Sequence, residues 1–320
     1  MSEQVLLLSV KGLTKFYKIK DSSLPVRALD NVSFKLPEDC TLGIVGESGC
    51  GKTTLGKCIL NLIDITKGEI FFKGEDVGNL KQTLFRPYRK NIQVVFQNPH
   101  NALNPRIKIK TLLSEPFLVW GNKLTKEALD EKISELLKAV HLDDSTLKKY
   151  PHQLSGGQLQ RISIALAIAT QPRLIVLDEP TTSLDAESSA ELIDLFINLK
   201  QKLHNSYIFI SHDLHAIEDI CDMVAVMYLG RIVEMGPKEQ IFNQPRHPYT
   251  KALMSAMLSV TTKIEDIIVL EGEVPSPVHL PEGCYFYSRC KVRGKQCAKE
   301  YPGKTTFENG EYVYCFQYQK

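Results

Sequence analysis

Residues 46–53 read Gly46-Glu47-Ser48-Gly49-Cys50-Gly51-Lys52-Thr53, a G-x-x-x-x-G-K-[ST] pattern matched at every fixed position. This octet constrains the fold more than any other stretch, because it does its work only between the end of a strand and the start of a helix. Both flanks fit: Leu42 to Val45 is apolar and strand-like, and a helix is predicted from Lys52 to about Ile63. The glycines let the backbone bend until several N–H groups converge on one anion, and the helix starting at Lys52 adds the positive end of its dipole. The alternative, a glycine-rich turn with no ligand, leaves the strand and helix flanks unexplained. The octet therefore reads as a phosphate cradle, with Lys52 reaching the β- and γ-phosphates of a nucleotide and Thr53 offering its hydroxyl to Mg²⁺.

A second element answers the first. Leu174-Ile175-Val176-Leu177 is a continuous apolar run, as in a strand buried on both faces of a parallel sheet, and it ends in Asp178-Glu179. Asp178 is then carried to the sheet's C-terminal edge, where a carboxylate can hold the Mg²⁺ shell. Glu179 beside it can position and polarise an attacking water. Short strand-like runs at Val5–Lys11, Val32–Leu36, Leu42–Val45, Glu69–Phe72 and Ile92–Phe96 precede a charged helical stretch from Ile109 to Leu147. Helices at Gly157–Ala169 and Glu187–Leu203 and a strand at Tyr207–Ile210 follow, then a further helix and two short strands. Strand and helix alternate, so the core is α/β.

Composition excludes several classes. The 320 residues suffice for one large domain or a core domain with an appendage. Lys and Arg total 39 against 37 Asp and Glu, a net charge of +2, which gives no electrostatic case for nucleic acid or acidic lipid as the main partner. No apolar run approaches the roughly 18 to 20 residues of a membrane-spanning helix. Val5-Leu6-Leu7-Leu8 has no basic stretch before it and no small-residue cleavage site, so it reads as a first strand and not a signal peptide, and the chain is expected in the cytosol. Cys40, Cys50, Cys58 and Cys221 are scattered and read as small core residues, Cys50 as one that fits its loop. Cys284, Cys290, Cys297 and Cys315 crowd into a Pro-, Gly- and Tyr-rich tail that looks like a separate small module. In a cytosolic chain such clustering points to metal before disulfides.

Leu154-Ser155-Gly156-Gly157-Gln158 precedes a helix and, taken alone, reads as an N-cap with Ser155 capping. Set between the two nucleotide motifs, it makes the chain resemble an ATP-binding-cassette ATPase over nearly its whole length. The resemblance implies a P-loop NTPase with an antiparallel β subdomain, a helical signature subdomain and ATP with Mg²⁺ as ligands. It implies that Ser155, Gly156, Gly157 and Gln158 meet the ATP held by a second subunit, a role suited to the free N–H groups of a helix start. It carries further roles onto matching positions. Gln97 is the glutamine that senses Mg²⁺ and water, and His212 in Phe209-Ile210-Ser211-His212-Asp213 is the switch histidine at the γ-phosphate. Ser183 and Asp185 in Thr182-Ser183-Leu184-Asp185 form the loop crossing the dimer interface, and Tyr17 is the aromatic that stacks on adenine. The ATP-binding set is then Tyr17, Gly46, Glu47, Ser48, Gly49, Cys50, Gly51, Lys52, Thr53 and Thr54. The catalytic set is Lys52, Gln97, Glu179 and His212, with Mg²⁺ on Thr53, Gln97 and Asp178. Since no motif is degenerate, an active hydrolytic half is expected; a cassette protein of translation or repair, or an ATP-binding adaptor without turnover, fits less well.

Two later stretches narrow the branch. His247-Pro248-Tyr249-Thr250-Lys251-Ala252-Leu253, and Gly272-Glu273-Val274-Pro275-Ser276-Pro277 followed by Gly283-Cys284-Tyr285-Phe286-Tyr287-Ser288-Arg289-Cys290, are similar to the C-terminal extension of oligopeptide/dipeptide importer ATPases. Leu103-Asn104-Pro105-Arg106 and Tyr150-Pro151-His152 resemble the second, F-type subunit of those importers. The resemblance implies an ATPase domain at 1–245 with a helical subdomain at about 98–170, whose segment from about Ile109 to Leu147 receives the permease, and an extension at 246–320. It implies a D-type ATPase as heterodimer partner, two permeases, an extracytoplasmic binding protein, no nucleic acid, and a place on the cytoplasmic face of a prokaryotic membrane. Nickel, metallophore and sugar-oligomer importers share the extension and are the alternative to peptides. The cysteine spacing C-x5-C-x6-C-x17-C lacks the tight pairs of structural zinc sites. Importers of this branch carry a [4Fe–4S] cluster on a similar pattern, which implies one on Cys284, Cys290, Cys297 and Cys315, with zinc and ordinary cysteines as the alternatives. Arg289, Lys291 and Arg293 are expected to offset thiolate charge.

Overall fold

The computed structural model describes residues 5–20, 24–120, 124–182, 184–257 and 268–319. The chain divides into two compact units, residues 1–79 with 210–320, and residues 80–209. The first unit opens with β1 (Leu6–Tyr17), β2 (Val26–Pro37), β3 (Thr41–Val45), α1 (Lys52–Ile59), β4 (Lys67–Phe72) and β5 (Glu75–Asp76). Four of these strands form an antiparallel sheet in the order β2-β1-β4-β5. Its core face follows from period-two patterning: Val32, Phe34 and Leu36 are buried, and Val10 of β1 lies opposite both Phe34 and Ile70. Gly68 adopts φ +99°, and a Cβ there would stand 2.6 Å from the Gly12 carbonyl oxygen, so the close approach of β4 to β1 requires glycine. Helix α1 stops at Ile59, short of the predicted Ile63, and Asn61 just beyond it takes a left-handed φ of 50°.

The second unit holds α2 (Gln82–Phe85), β6 (Ile92–Val95), α3 (Pro99–Ala102), α4 (Ile109–Trp120), α5 (Lys126–Ala139), α6 (Gly156–Ile168), β7 (Leu174–Asp178), α7 (Ala186–Leu203) and β8 (Ser206–Ile210). Its strands run in the order β8-β7-β6, with β6 and β7 parallel and Ile92 paired with Leu174. Every residue of β7 and β8 is buried, as the unbroken apolar run required. Phe196 of α7 meets Tyr207 and Phe209 of β8 edge-on, at 6.0 and 6.4 Å between ring centres. The helical stretch predicted from Ile109 to Leu147 is two helices, α4 and α5, the second capped by Thr125 Oγ1, which accepts from the Ala128 N–H.

The first unit resumes with α8 (Leu214–Ile220), β9 (Met223–Tyr228), β10 (Arg231–Pro237), α9 (Lys238–Asn243), α10 (Pro248–Met257), β11 (Thr305–Thr306) and β12 (Tyr312–Val313). Here the strand order is β11-β12-β10-β9-β3, with β9 parallel to β3 and antiparallel to β10. The tail is therefore not the separate module that its composition suggested. Its strand β12 pairs with β10, Glu234 opposite Val313, and covers an edge that would otherwise leave main-chain groups unpaired.

Arg246 and Glu234 fasten this junction. The N–H groups of Arg246 and His247 donate to the two oxygens of Glu234 at 2.6 and 2.9 Å, and Arg246 Nε donates to Glu311 at 2.9 Å. Burial pushes the Glu234 carboxyl up to about 7, and the charge of Glu311 adds to the rise. A carboxyl raised in the fold binds protons more tightly folded than unfolded. Its stabilisation is complete below the ordinary carboxylate range and is lost as pH climbs through about 7. The stability advantage of the wild-type chain over Glu234→Gln, measured by urea unfolding, is therefore expected to shrink steadily between pH 4.5 and pH 7.5. A pH-independent difference would remove Glu234 as the titrating group.

Candidate nucleotide-binding site

The phosphate loop is shaped from behind by main chain. Gly46, Gly49 and Gly51 all have positive φ, at 151°, 79° and 107°. A Cβ at Gly46 would lie 2.2 Å from the Met227 carbonyl oxygen, and one at Gly51 would lie 2.3 Å from that of Ala28. Both fixed glycines of the motif, Gly46 and Gly51, are thus required by contact as well as by conformation. The Gly230 N–H donates to the Cys50 carbonyl at 2.9 Å, adding a third tie to the loop. Lys52 is buried, and its Nζ donates to the carbonyls of Gly46 at 2.8 Å and Glu47 at 3.3 Å, which holds the ammonium within the loop's curve. Ser48, Gly49 and Thr53 face outward, and Thr54 is half-buried. Cys50 is buried with its thiol pushed up by burial, consistent with a small residue that fits. Cys40, Cys58 and Cys221 are buried as expected.

Other members of the predicted set in this unit are Tyr17 and His212. Tyr17 ends β1 at 38 % exposure with the Lys15 ammonium 4.9 Å from its ring centre, so it is not a core aromatic. His212 is exposed just after β8, and the next residue, Asp213, caps α8 by accepting from the N–H groups of His215 and Ala216.

The second unit carries the remaining residues. Asp178 and Glu179 are buried at the end of β7. Glu179 has φ 52°, a left-handed conformation uncommon for a residue with a side chain, and Thr182 Oγ1 donates to its Oε2 at 2.6 Å. Gln97 is exposed after β6. Ser155 is the N-cap of α6: its Oγ accepts from the Gln158 N–H at 3.3 Å, while Gln158 Oε1 accepts from the Ser155 N–H at 3.2 Å. The capping role is therefore real. It leaves Ser155 and Gly156 exposed, with open space around Gly156 and Gly157, at the start of a 13-residue helix. Asp185 caps α7, and the N–H and hydroxyl of Ser188 hold its carboxyl below the usual range. Ser183 lies outside the described residues.

The four tail cysteines line one cavity of about 20 Å³ with His247 and Phe286. Burial, reinforced by the neighbouring thiols, pushes Cys284 up to about 12. The donor set matches a thiolate-bound group. Among the described residues no group of three or more His, Cys, Asp or Glu side chains is placed to hold a metal ion. The flanking cations bear out the sequence reading in part: the charge of Arg293 draws against the rise that burial imposes on the Cys290 thiol, while Arg289 and Lys291 are engaged elsewhere. Arg289 donates to both oxygens of Glu47, at 2.7 and 3.1 Å; Lys291 pairs with Glu271; Arg293 donates to the carbonyls of Tyr287 and Ser288. Tyr249 Oη also accepts the Glu47 N–H, at 2.9 Å. Sequence reasoning missed Arg289 and Tyr249 as neighbours of the phosphate loop. The separations of 242 and 202 residues leave no local signal.

Comparison with known proteins agrees with this geometry. Residues 29–182 match the ABC transporter family model, and residues 233–297 match the model described as the oligopeptide/dipeptide transporter C-terminal region. The chain is 42% identical to a dipeptide transport ATP-binding protein of Haemophilus influenzae, over 99% of this chain and 98% of that one. It is 41% identical to an oligopeptide transport ATP-binding protein of Bacillus subtilis, over 99% of both. Among solved structures it resembles a dimeric ATP-binding cassette bound to ADP and Pi in a post-hydrolysis state, with TM-score 0.66 and 25% identity, over 72% of this chain and 99% of that one. With a phosphate loop, a capped signature helix and the importer-type tail in one chain, this protein belongs to the ATP-binding subunits of the oligopeptide/dipeptide branch of the ABC transporter family.

Proposed function

We propose that this chain is the ATPase subunit of a membrane importer of dipeptides or oligopeptides. The observation that carries the reading is the glycine cradle closed on Lys52, joined in one chain to an importer-type tail. The relatives are named for dipeptide and oligopeptide transport, which favours peptides over nickel, metallophores or sugar oligomers. Among the described residues no helix is long and apolar enough to cross a membrane, so permease subunits would supply the passage. The functional division we assign is 1–245 for nucleotide and 246–320 for the extension, on the cytoplasmic face of the membrane.

Each residue then has a chemical task. Main-chain N–H groups of the loop other than those of Glu47 and Cys50, together with the start of α1, neutralise phosphate charge, and Lys52 adds a full positive charge. Thr53, Gln97 and Asp178 are the residues we assign to Mg²⁺, which would supply positive charge to offset that of the phosphates. Glu179 orients the attacking water and accepts its proton; Gln97 senses Mg²⁺ and that water, His212 meets the γ-phosphate, and Tyr17 stacks on adenine. Ser155, Gly156 and Gly157 present the start of α6 to the nucleotide of a D-type partner, with Asp185 and Ser183 at the interface. Such a dimer closes on two nucleotides and reopens after hydrolysis, moving the permeases.

Cys284, Cys290, Cys297 and Cys315 are the residues we assign to a [4Fe–4S] cluster, which the shared cavity and all-thiol donor set support. The cluster would cross-link a tail with little apolar core.

Three measurements test the reading. Glu179→Gln is expected to retain MgATP while turnover falls by about a hundredfold or more; steady-state ATPase near wild type would overturn the assignment. Ser155→Arg should bind nucleotide yet fail to form the ATP-dependent dimer, read by size-exclusion chromatography in the Glu179→Gln background. Chain purified without oxygen should contain about four iron and four sulfide ions, both lost in Cys290→Ser; an iron-free wild-type chain would dismiss the cluster.

A further inference from the structure

Glu47 is engaged through every polar group it has. Its carboxylate receives two hydrogen bonds from Arg289, and its N–H donates to Tyr249 Oη. Its carbonyl accepts from the Cys50 N–H at 3.2 Å and from Lys52 Nζ at 3.3 Å. One residue thus joins the tail to the lysine that meets the phosphates. The tail's side of the joint is rigid. Tyr228, Tyr249 and Phe286 pack ring against ring at 4.8, 5.3 and 5.5 Å, and Tyr249 is fully buried. The Arg289 side chain is 6% exposed, with its guanidinium 6.0 Å from the Tyr228 ring centre. A buried guanidinium forked onto a carboxylate is a strong and directional contact, because both groups are planar and the two bonds fix their relative angle.

The location gives the contact a task. Glu47 is the second residue of the phosphate loop, and its side chain is 29% exposed. A carboxylate there without a partner would repel an entering triphosphate and compete for the Lys52 ammonium. Held by Arg289, it is neutralised and turned to the back of the loop, and its carbonyl stays aimed at Lys52.

We propose that Arg289 is a positioning residue for ATP binding, acting through Glu47 to set the charge and shape of the phosphate loop, so that the C-terminal extension is part of the nucleotide site. The inference rests on residues 46–53 being the ATP loop. It predicts an effect on affinity more than on the chemical step, because Arg289 touches no reacting atom.

The test uses the full-length chain, a fluorescent ATP analogue with Mg²⁺ for equilibrium binding, and steady-state ATPase. Arg289→Ala is expected to raise Kd and KM about tenfold or more while kcat changes less than about threefold; Arg289→Lys, which keeps the charge and loses the fork, should fall between it and wild type. Glu47→Gln keeps the shape of the side chain and removes its charge, so it should raise Kd less than Arg289→Ala does. The double variant should bind better than Arg289→Ala alone, because no unpaired carboxylate remains to repel the triphosphate. A loss in Glu47→Gln as large as in Arg289→Ala, a double variant no better than Arg289→Ala, or a folded Arg289→Ala with a lowered melting temperature and unchanged Kd would each overturn the proposal. Lys52→Ala separates the two levels. If it binds as well as wild type, the ATP-loop reading falls; if it loses binding while Arg289→Ala does not, only the inference falls.

Discussion

The carbonyl oxygens of Met227 and Ala28 stand where side chains at Gly46 and Gly51 would have to go. That contact fixes the phosphate loop before any ligand arrives. The loop's curvature is imposed by β9 and β2, elements that are themselves locked into sheets, so its N–H groups do not have to be gathered at the moment of binding. Preorganisation of this kind is where an enzyme that handles phosphates gains most, because the donors need not reorganise when charge develops. The same contacts leave no room for a side chain at Gly46 or Gly51.

Elsewhere the chain combines architecture with chemistry in the same residues. Ser155 closes a capping box that takes up the Gln158 N–H, yet open space remains around Gly156 and Gly157 in the first turn of α6, where an anion can approach. Glu179 sits in a left-handed backbone conformation immediately after the most regular strand of its unit, held by Thr182. Strain of this sort persists where the surroundings over-determine it, and it gathers at residues that must point one way.

The fold was largely legible because its strongest signals are local. The apolar run Leu174–Leu177 announced a strand buried on both faces, and β7 is one; the octet at residues 46–53 announced a strand, a turn and a helix, and β3 and α1 flank it. The site residues of the loop were legible for the same reason. What escaped was non-local. The tail's composition suggested independence, yet β12 completes the sheet begun by β3, because pairing across an edge leaves no trace in composition. The basic residues beside the cysteines invited a local electrostatic reading, and Arg289 instead spans the unit to reach Glu47, a choice that depends on which carboxylate folding brings near.

The reach of Glu47 to Tyr249 and Arg289 has a consequence for how the protein is made. The loop's Glu47 is translated 202 residues before Tyr249 and 242 before Arg289. Contacts so distant along the chain form late, since the intervening polypeptide must first be gathered up. A nascent cassette therefore carries the full nucleotide motif without its backing until these two residues have been made and have folded onto it.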